Sequence, residues 1–303
     1  MLTRREALGV IGAISVGRLL APVGAGPVPL IESPPDANPT QDTAPPLALG
    51  APTSRERMAL IDAFRRESAG VDQQFEARTH ESDWVMPYRL FRPKAAGPLP
   101  LVMFLHGSGG LGTDNVRQMG LGNVFGTRIW ALAEHQRSFP CWVLVPQTDR
   151  GWARYGSPAP SDSIARIVPG LGDGARMAME LVDRLCDELP IDRRRIYVTG
   201  QSMGGAGVWN MTAHRPAFFA AAVACCGSAT ADDPADSMNT PLWNFHGDAD
   251  KTVPVAASRA RIAAMRNAGG HPLSTEYAGV DHNVWEWAYT EPELARWLFR
   301  QRR

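Results

Sequence analysis

The run Gly200-Gln201-Ser202-Met203-Gly204-Gly205 follows the apolar stretch Arg195–Thr199 and sets a serine two places from a glycine on either side. A strand that turns this sharply into a helix brings those flanking positions against neighbouring backbone, so side chains there would collide. The turn lifts the Ser202 hydroxyl to the start of a helix, where the local field favours developing negative charge. A hydroxyl is a weak nucleophile at neutral pH. It needs a base, and the base needs a group to orient it. Two later segments offer both: Phe245-His246-Gly247-Asp248-Ala249-Asp250 and Tyr277-Ala278-Gly279-Val280-Asp281-His282. Of seven histidines, only His282 follows the acid at the next strand end, which makes it the candidate base. Asp250 is the candidate acid. Asp248 is its rival, Asp281 is too close in sequence to reach the His282 ring, and His246 reads as structural.

Such a set attacks an acyl carbonyl, and that reaction also requires donors for the oxyanion. Leu101–Leu105 runs into His106-Gly107-Ser108-Gly109-Gly110, so the backbone N–H groups of Ser108 and Met203 are the expected donors. Gly107–Gly112 also fits the spacing of a dinucleotide-binding loop. That loop would open a helix directly, whereas Thr113-Asp114-Asn115 reads as a turn, and no strand ending in an acid stands near residue 130. Gln147, Trp152, Gln201 and Trp285 are the expected substrate contacts. Trp209 and Trp243 also lie near strand ends, and core packing is the competing reading for each tryptophan. No ligand cluster suggests a metal, and the chemistry needs no organic cofactor.

These residues must be held by a scaffold that brings distant strand ends together. Phe75–Glu81 and Pro87–Phe91 mix apolar and polar residues, as half-buried antiparallel strands do. Leu101–Leu105, Trp142–Val145, Ile196–Thr199, Ala221–Ala224 and Leu242–Phe245 are nearly continuous apolar runs, suited to strands buried on both faces. Helices are expected between them at Arg128–Gln136, Ala175–Glu188, Met203–His214 and Val255–Ala268, with a last one at Pro292–Gln301. The alternation predicts an α/β fold with a mostly parallel, doubly wound sheet and helices on both faces, binding its ligand at the carboxyl ends of the strands. Thr148–Gly174 is long for a connection and is expected to shape the pocket rim. Ser228–Pro241 is short, which argues against a large lid domain and for an open cleft.

Composition narrows the partners. Thirty-one Lys+Arg balance 31 Asp+Glu over 303 residues, with no dense basic run, which argues against nucleic acid or an anionic membrane as the main partner. Four cysteines without a Cys-x-x-Cys pair are too few for a disulfide scaffold and do not suggest zinc. Cys225 and Cys226 read as buried thiols, although export would permit a disulfide with Cys141 or Cys186. Residues 1–26 read as an export signal: Arg4-Arg5 precedes a short apolar stretch and a small-residue end, which suggests the twin-arginine route to the periplasm or beyond. Residues 27–53 carry eight prolines from Pro27 to Pro52 and read as an extended tether. Ser54 is the expected cap of a short helix that opens the catalytic domain, 54–303.

With these motifs in place the chain resembles the α/β-hydrolase superfamily. It is most similar to secreted bacterial esterases of the dienelactone-hydrolase and polyhydroxyalkanoate-depolymerase-like type, a group that includes predicted peptidases. The resemblance runs from about Phe75 to Arg302 and rests on Phe104–Gly110, Gly112–Asn115, Val145–Gln147, Ile196–Gly205, Phe245–Pro254 and Gly279–Trp285. It implies Ser202 as nucleophile, Asp250 as orienting acid, His282 as base, and an acyl-enzyme route to ester hydrolysis of a small or polymeric substrate. A serine peptidase of the prolyl-oligopeptidase-like group and a non-catalytic carbohydrate- or partner-binding protein are the alternatives. At Gly110 the chain departs from the charged residue common in that group, which implies an altered pocket rim.

Overall fold

Strands that are apolar on both faces need cover on both faces, and the central sheet has it. The computed structural model describes residues 55–156, 167–228 and 238–303, so the export segment, the tether and Ser54 lie outside the described residues. In chain order the strands are β1 (Phe75–Glu81), β2 (Val85–Phe91), β3 (Leu99–Leu105), β4 (Trp142–Pro146) and β5 (Ala153–Tyr155). They continue as β6 (Ile167–Leu171), β7 (Ile191–Gln201), β8 (Ala221–Cys225), β9 (Leu242–Gly247) and β10 (Leu273–Tyr277). Eight of them form one sheet in the order β1-β2-β4-β3-β7-β8-β9-β10. The β1–β2 and β2–β4 pairs are antiparallel, and every pair from β4 to β10 is parallel. The expected sheet class and the two antiparallel leading strands are both found.

Alternation along each strand sorts side chains into two cores. Val102, Phe104, Val143 and Val145 enter one, while Leu101, Met103, Leu105 and Leu144 enter the other. The first core is closed by α1 (Arg55–Glu67), whose Phe64 stacks on Phe125 of α2 (Val124–Arg128) with ring centroids 4.4 Å apart. The second is closed partly by α4 (Asp173–Glu188), which buries Ala175, Ala178, Leu181, Val182 and Leu185 as one helical stripe. α5 (Met203–His214) and α6 (Val255–Asn267) match the expected helices to within a residue. The short α7 (Trp285–Ala288) precedes α8 (Pro292–Arg300), which starts on a proline, where a missing N–H is harmless.

Two elements depart from expectation. The single helix read over Arg128–Gln136 is broken into α2 and α3 (Ala133–Ser138), separated by a 3-10 turn at Ile129–Ala131 and an extended Leu132. Ile129, Trp130 and Ala131 are all buried. Three consecutive helical residues point in three directions, so burying all of them requires the chain to turn. The second departure is the β5–β6 hairpin, which pairs Ala153 with Leu171 and Tyr155 with Ile167 inside the segment expected to be loop. The short connection that argued against a lid falls largely on residues 229–237, outside the described residues.

Candidate active site

The turn between β7 and α5 holds Ser202 at φ 55°, ψ −120°. A non-glycine residue in the left-handed half of the map carries a cost of about 1–3 kcal/mol, sustained only where the surroundings leave no alternative. Here they leave none. Ser202 N–H donates to the Cys225 carbonyl of β8 at 2.9 Å, and Ala206 N–H donates to the Ser202 carbonyl at 3.0 Å. A β-carbon on Gly204 would lie 1.9 Å from the Leu105 carbonyl oxygen, and one on Gly200 would lie 2.5 Å from the Gly204 carbonyl oxygen. Both glycines are therefore required by close backbone approach.

The Ser202 hydroxyl donates to His282 Nε2 at 2.8 Å, and His282 Nδ1 donates to Asp250 Oδ2 at 2.7 Å. A carboxylate can only accept, so the proton sits on Nδ1 and Nε2 is left as an acceptor facing the hydroxyl. Asp250 is fully shielded from solvent at its side chain, whereas His282 keeps 19% of its own exposed. The other carboxylate oxygen, Oδ1, accepts from the Thr252 and Val253 amides, each at 2.8 Å. His246 braces the same loop. Its Nε2 donates to the Val253 carbonyl at 2.9 Å and its Nδ1 accepts from Ser258 Oγ at 2.8 Å, while burial lowers its pKa.

The two rival acids have different work. Asp248 Oδ1 accepts from Gly279 N–H at 2.6 Å, and Asp281 Oδ1 accepts from the amides of Lys251 at 3.0 Å and His282 at 2.8 Å. These bonds strap the loop after β9 to the loop after β10. Gly247 permits the approach, since a β-carbon there would lie 2.1 Å from the Val280 carbonyl oxygen. The same backbone bonds hold the Asp281 carboxyl below its usual range.

Ser108 and Met203 each open a helical turn, and the first amides of such a turn have no partner within it. Together with Ser202 they line a pocket of about 290 Å³. Tyr155 and Ile167 of the hairpin, Ala206 and Val253 form its apolar wall. The loop bearing Ser108 is tied down by Gly107 N–H, which donates to Asn123 Oδ1 at 2.9 Å.

This chain is matched over residues 92–289 by the family described as phospholipase/carboxylesterase, more than half of its 303 residues. The chain belongs to the phospholipase/carboxylesterase family. Among relatives of this phospholipase/carboxylesterase-family chain is NocK of Nocardia uniformis subsp. tsuyamanensis, a protein named as an esterase. The two are 27% identical over 256 residues, covering 84% of this chain and 66% of NocK. A thermostable esterase of known structure superposes with a TM-score of 0.68 at 34% identity, covering 77% of this chain and 64% of that one. A Klebsiella pneumoniae subsp. pneumoniae MGH 78578 protein named as a dienelactone hydrolase shares the fold, with a TM-score of 0.52 at 22% identity over 75% of this chain and 96% of that one. The phospholipase/carboxylesterase-family chain thus spans about two-thirds of the length of NocK and of the thermostable esterase.

Two of the four expected substrate contacts are taken up by the fold of this phospholipase/carboxylesterase-family chain. Gln147 is fully buried: its Oε1 accepts from Asn115 N–H, and its Nε2 donates to the Gly110 carbonyl at 3.1 Å and to Asp114 Oδ1 at 2.9 Å. That bond, with the Val116 and Arg117 amides, lowers the Asp114 carboxyl to about 2. Trp152 is likewise buried, donating from Nε1 to the His106 carbonyl and packing against Gly207, so it presents no surface to a ligand. Trp209 and Trp243 are core residues.

The other two lie next to Ser202 in the chain and beside the His282 ring. Gln201 is 3% exposed with an unpartnered Oε1, and Trp285 is half-buried, its ring edge-on to His282 at 5.4 Å. Gly110 is no rim residue. It is packed on the His106 ring, where a β-carbon would come within 2.5 Å of Cγ. Residues that sequence reasoning missed are Tyr155, Ile167 and Asn123; the first two depend on a hairpin with no visible periodicity. All four cysteines are free thiols.

Proposed function

We propose that this chain hydrolyses carboxylic esters through an acyl-enzyme on Ser202. The observation that carries the reading is the unbroken relay from buried Asp250 through His282 to Ser202, with bonds of 2.7 and 2.8 Å. His282 Nε2 takes the hydroxyl proton as Ser202 Oγ attacks the ester carbonyl. The Ser108 and Met203 amides receive the oxyanion, a contact made fully only in the transition state and therefore productive for rate. His282 then returns the proton to the departing alcohol, and water repeats the sequence on the acyl-enzyme. Asp250 stabilises the imidazolium and holds the tautomer without taking the proton.

The apolar wall of Tyr155, Ile167, Ala206 and Val253, with no carboxylate or basic side chain among the described lining residues, favours an uncharged acyl group. Trp285 is assigned the leaving-group side, because the alcohol is protonated at His282 Nε2 and the Trp285 ring abuts that imidazole. The family match and the two esterase-named relatives support the reaction class. Turnover of p-nitrophenyl esters from acetate to octanoate, with fluorophosphonate labelling, is the direct test. Ser202→Ala is expected to lower kcat by about 10⁴-fold or more and abolish labelling. Unchanged turnover in that variant would sink the mechanism.

A further inference from the structure

One group beside the relay has no part in the reaction above. Cys226 lies just past β8 with left-handed backbone, φ 41°, and its side chain is buried. Its thiol donates to the His282 carbonyl at 3.4 Å, a weak bond for so enclosed a group. Cys226 Sγ, a ring nitrogen of His282 and an Asp250 carboxylate oxygen all lie within 4.8 Å of one another, and Nδ1 is the nitrogen already turned to Asp250. Among the described residues this is the cluster whose donors converge closely enough to hold a metal ion.

We propose that Cys226, His282 and Asp250 form a binding site for a thiophilic divalent cation, zinc or cadmium, whose occupancy switches the enzyme off. One sulfur, one imidazole nitrogen and one carboxylate oxygen are a favoured set for such ions. Bond lengths of about 2.0–2.3 Å put tetrahedral donors roughly 3.3–3.7 Å apart. The Nδ1–Oδ2 pair, now at 2.7 Å, has to open by less than about 1 Å, while the sulfur moves inward. His282 is the partly exposed member and gives the ion its way in.

The thiol loses its proton to solvent and binds as thiolate. The Nδ1 proton relocates to Nε2, freeing Nδ1 for the metal. The carboxylate binds as it stands, so one proton is released for each ion bound. An imidazole protonated at Nε2 cannot accept from Ser202, and the base is disabled without any bond to the serine. The site itself does not depend on the esterase reading; the effect on turnover rests on it.

Cadmium is the probe, because its thiolate complex absorbs in the ultraviolet. The binding arm uses Ser202→Ala protein carrying Cys186→Ser, since Cys186 is the half-exposed thiol. Cadmium titration is expected to raise the thiolate-to-cadmium band to one ion per chain. Cys226→Ala, or the near-isosteric Cys226→Ser, removes that band, and Cys225→Ala keeps it. In the active protein, cadmium is expected to inhibit p-nitrophenyl acetate hydrolysis reversibly with EDTA. The inhibitory concentration then falls about tenfold for each pH unit gained while the thiol stays protonated. Measured against its own uninhibited rate, Cys226→Ala needs at least about tenfold more cadmium. A band that never forms, a band that survives Cys226→Ala, or equal inhibition of both proteins overturns the proposal. A normal band in a protein with no turnover on any ester leaves the site standing and overturns the esterase reading instead.

Discussion

Asp250 divides its two oxygens between architecture and chemistry. Oδ1 takes two loop amides and Oδ2 takes His282, so the carboxylate that holds the His282 ring is itself held in place by its own loop. Asp250→Asn tests this directly. An amide nitrogen facing Nδ1 donates rather than accepts, which forces the proton onto Nε2 and removes the acceptor that Ser202 needs. The expected result is a kcat lower by about 10³–10⁴-fold with a thermal midpoint close to wild type. Buried histidines elsewhere make the fold sensitive to acid. Burial lowers His106 and His135 from 6.5 to about 4. The unfolded chain therefore takes up protons first as pH falls, and stability present above pH 6.5 is lost on the way down to about 4. The unfolding free energy from urea titration should drop between pH 7 and pH 5, by on the order of 1–3 kcal/mol for each histidine. The drop should be smaller in His135→Gln. Much at this scale is legible in sequence: Ser202, Asp250 and His282 stand out by type and by position after strands. Gln147 and Trp152 do not, because position at a strand end cannot say whether a side chain faces a ligand or its own backbone.

Elements act here as clamps on the loops they end in. The loop after β3 carries Ser108, and Gln147 at the end of β4 ties that loop to the sheet through Asn115, Gly110 and Asp114. Gln147→Ala leaves the buried Gly110 carbonyl and the part-buried Asn115 amide unpaired, at a cost of about 1–3 kcal/mol. If Ser108 N–H receives the oxyanion as proposed, a loosened Ser108 loop lowers kcat more than it raises KM, and steady-state kinetics with one p-nitrophenyl ester measures that split. The strands and helices of the sheet were legible because apolar runs and helical stripes have periods that tertiary contacts reinforce. The β5–β6 hairpin was not. A three-residue strand paired across a Gly-, Pro- and Ser-rich segment carries no period of its own, yet its Tyr155 and Ile167 wall the pocket.

For the molecule as a whole, the parallel order from β4 to β10 matters most, because it gathers the ends of β3, β7, β9 and β10 on one edge of the sheet. Helix α1 lies before the family-matched stretch but belongs to the same core. Phe64 is 4% exposed on Phe125, and Arg57 pairs with Glu291 at 2.7 Å ahead of α8. Phe64→Ala should cost about 3–5 kcal/mol and lower the midpoint of a single cooperative transition. Calorimetry that shows α1 melting separately would overturn that view of the core.

Sequence alone determined the sheet class, the sharp turn at Ser202, the order of serine, acid and histidine, and the small set of residues able to act at a carbonyl. These follow from local sterics and from hydrophobic period, which act over a few residues. Tertiary structure decided which acid faces His282, that Asp248 and Asp281 are straps, that Gly110 lies beneath the loop, and that Cys226 stands beside His282. Those outcomes depend on distances between chain segments tens of residues apart, from Ser202 to His282 and from Cys226 to Asp250. Only the packed sheet sets such distances.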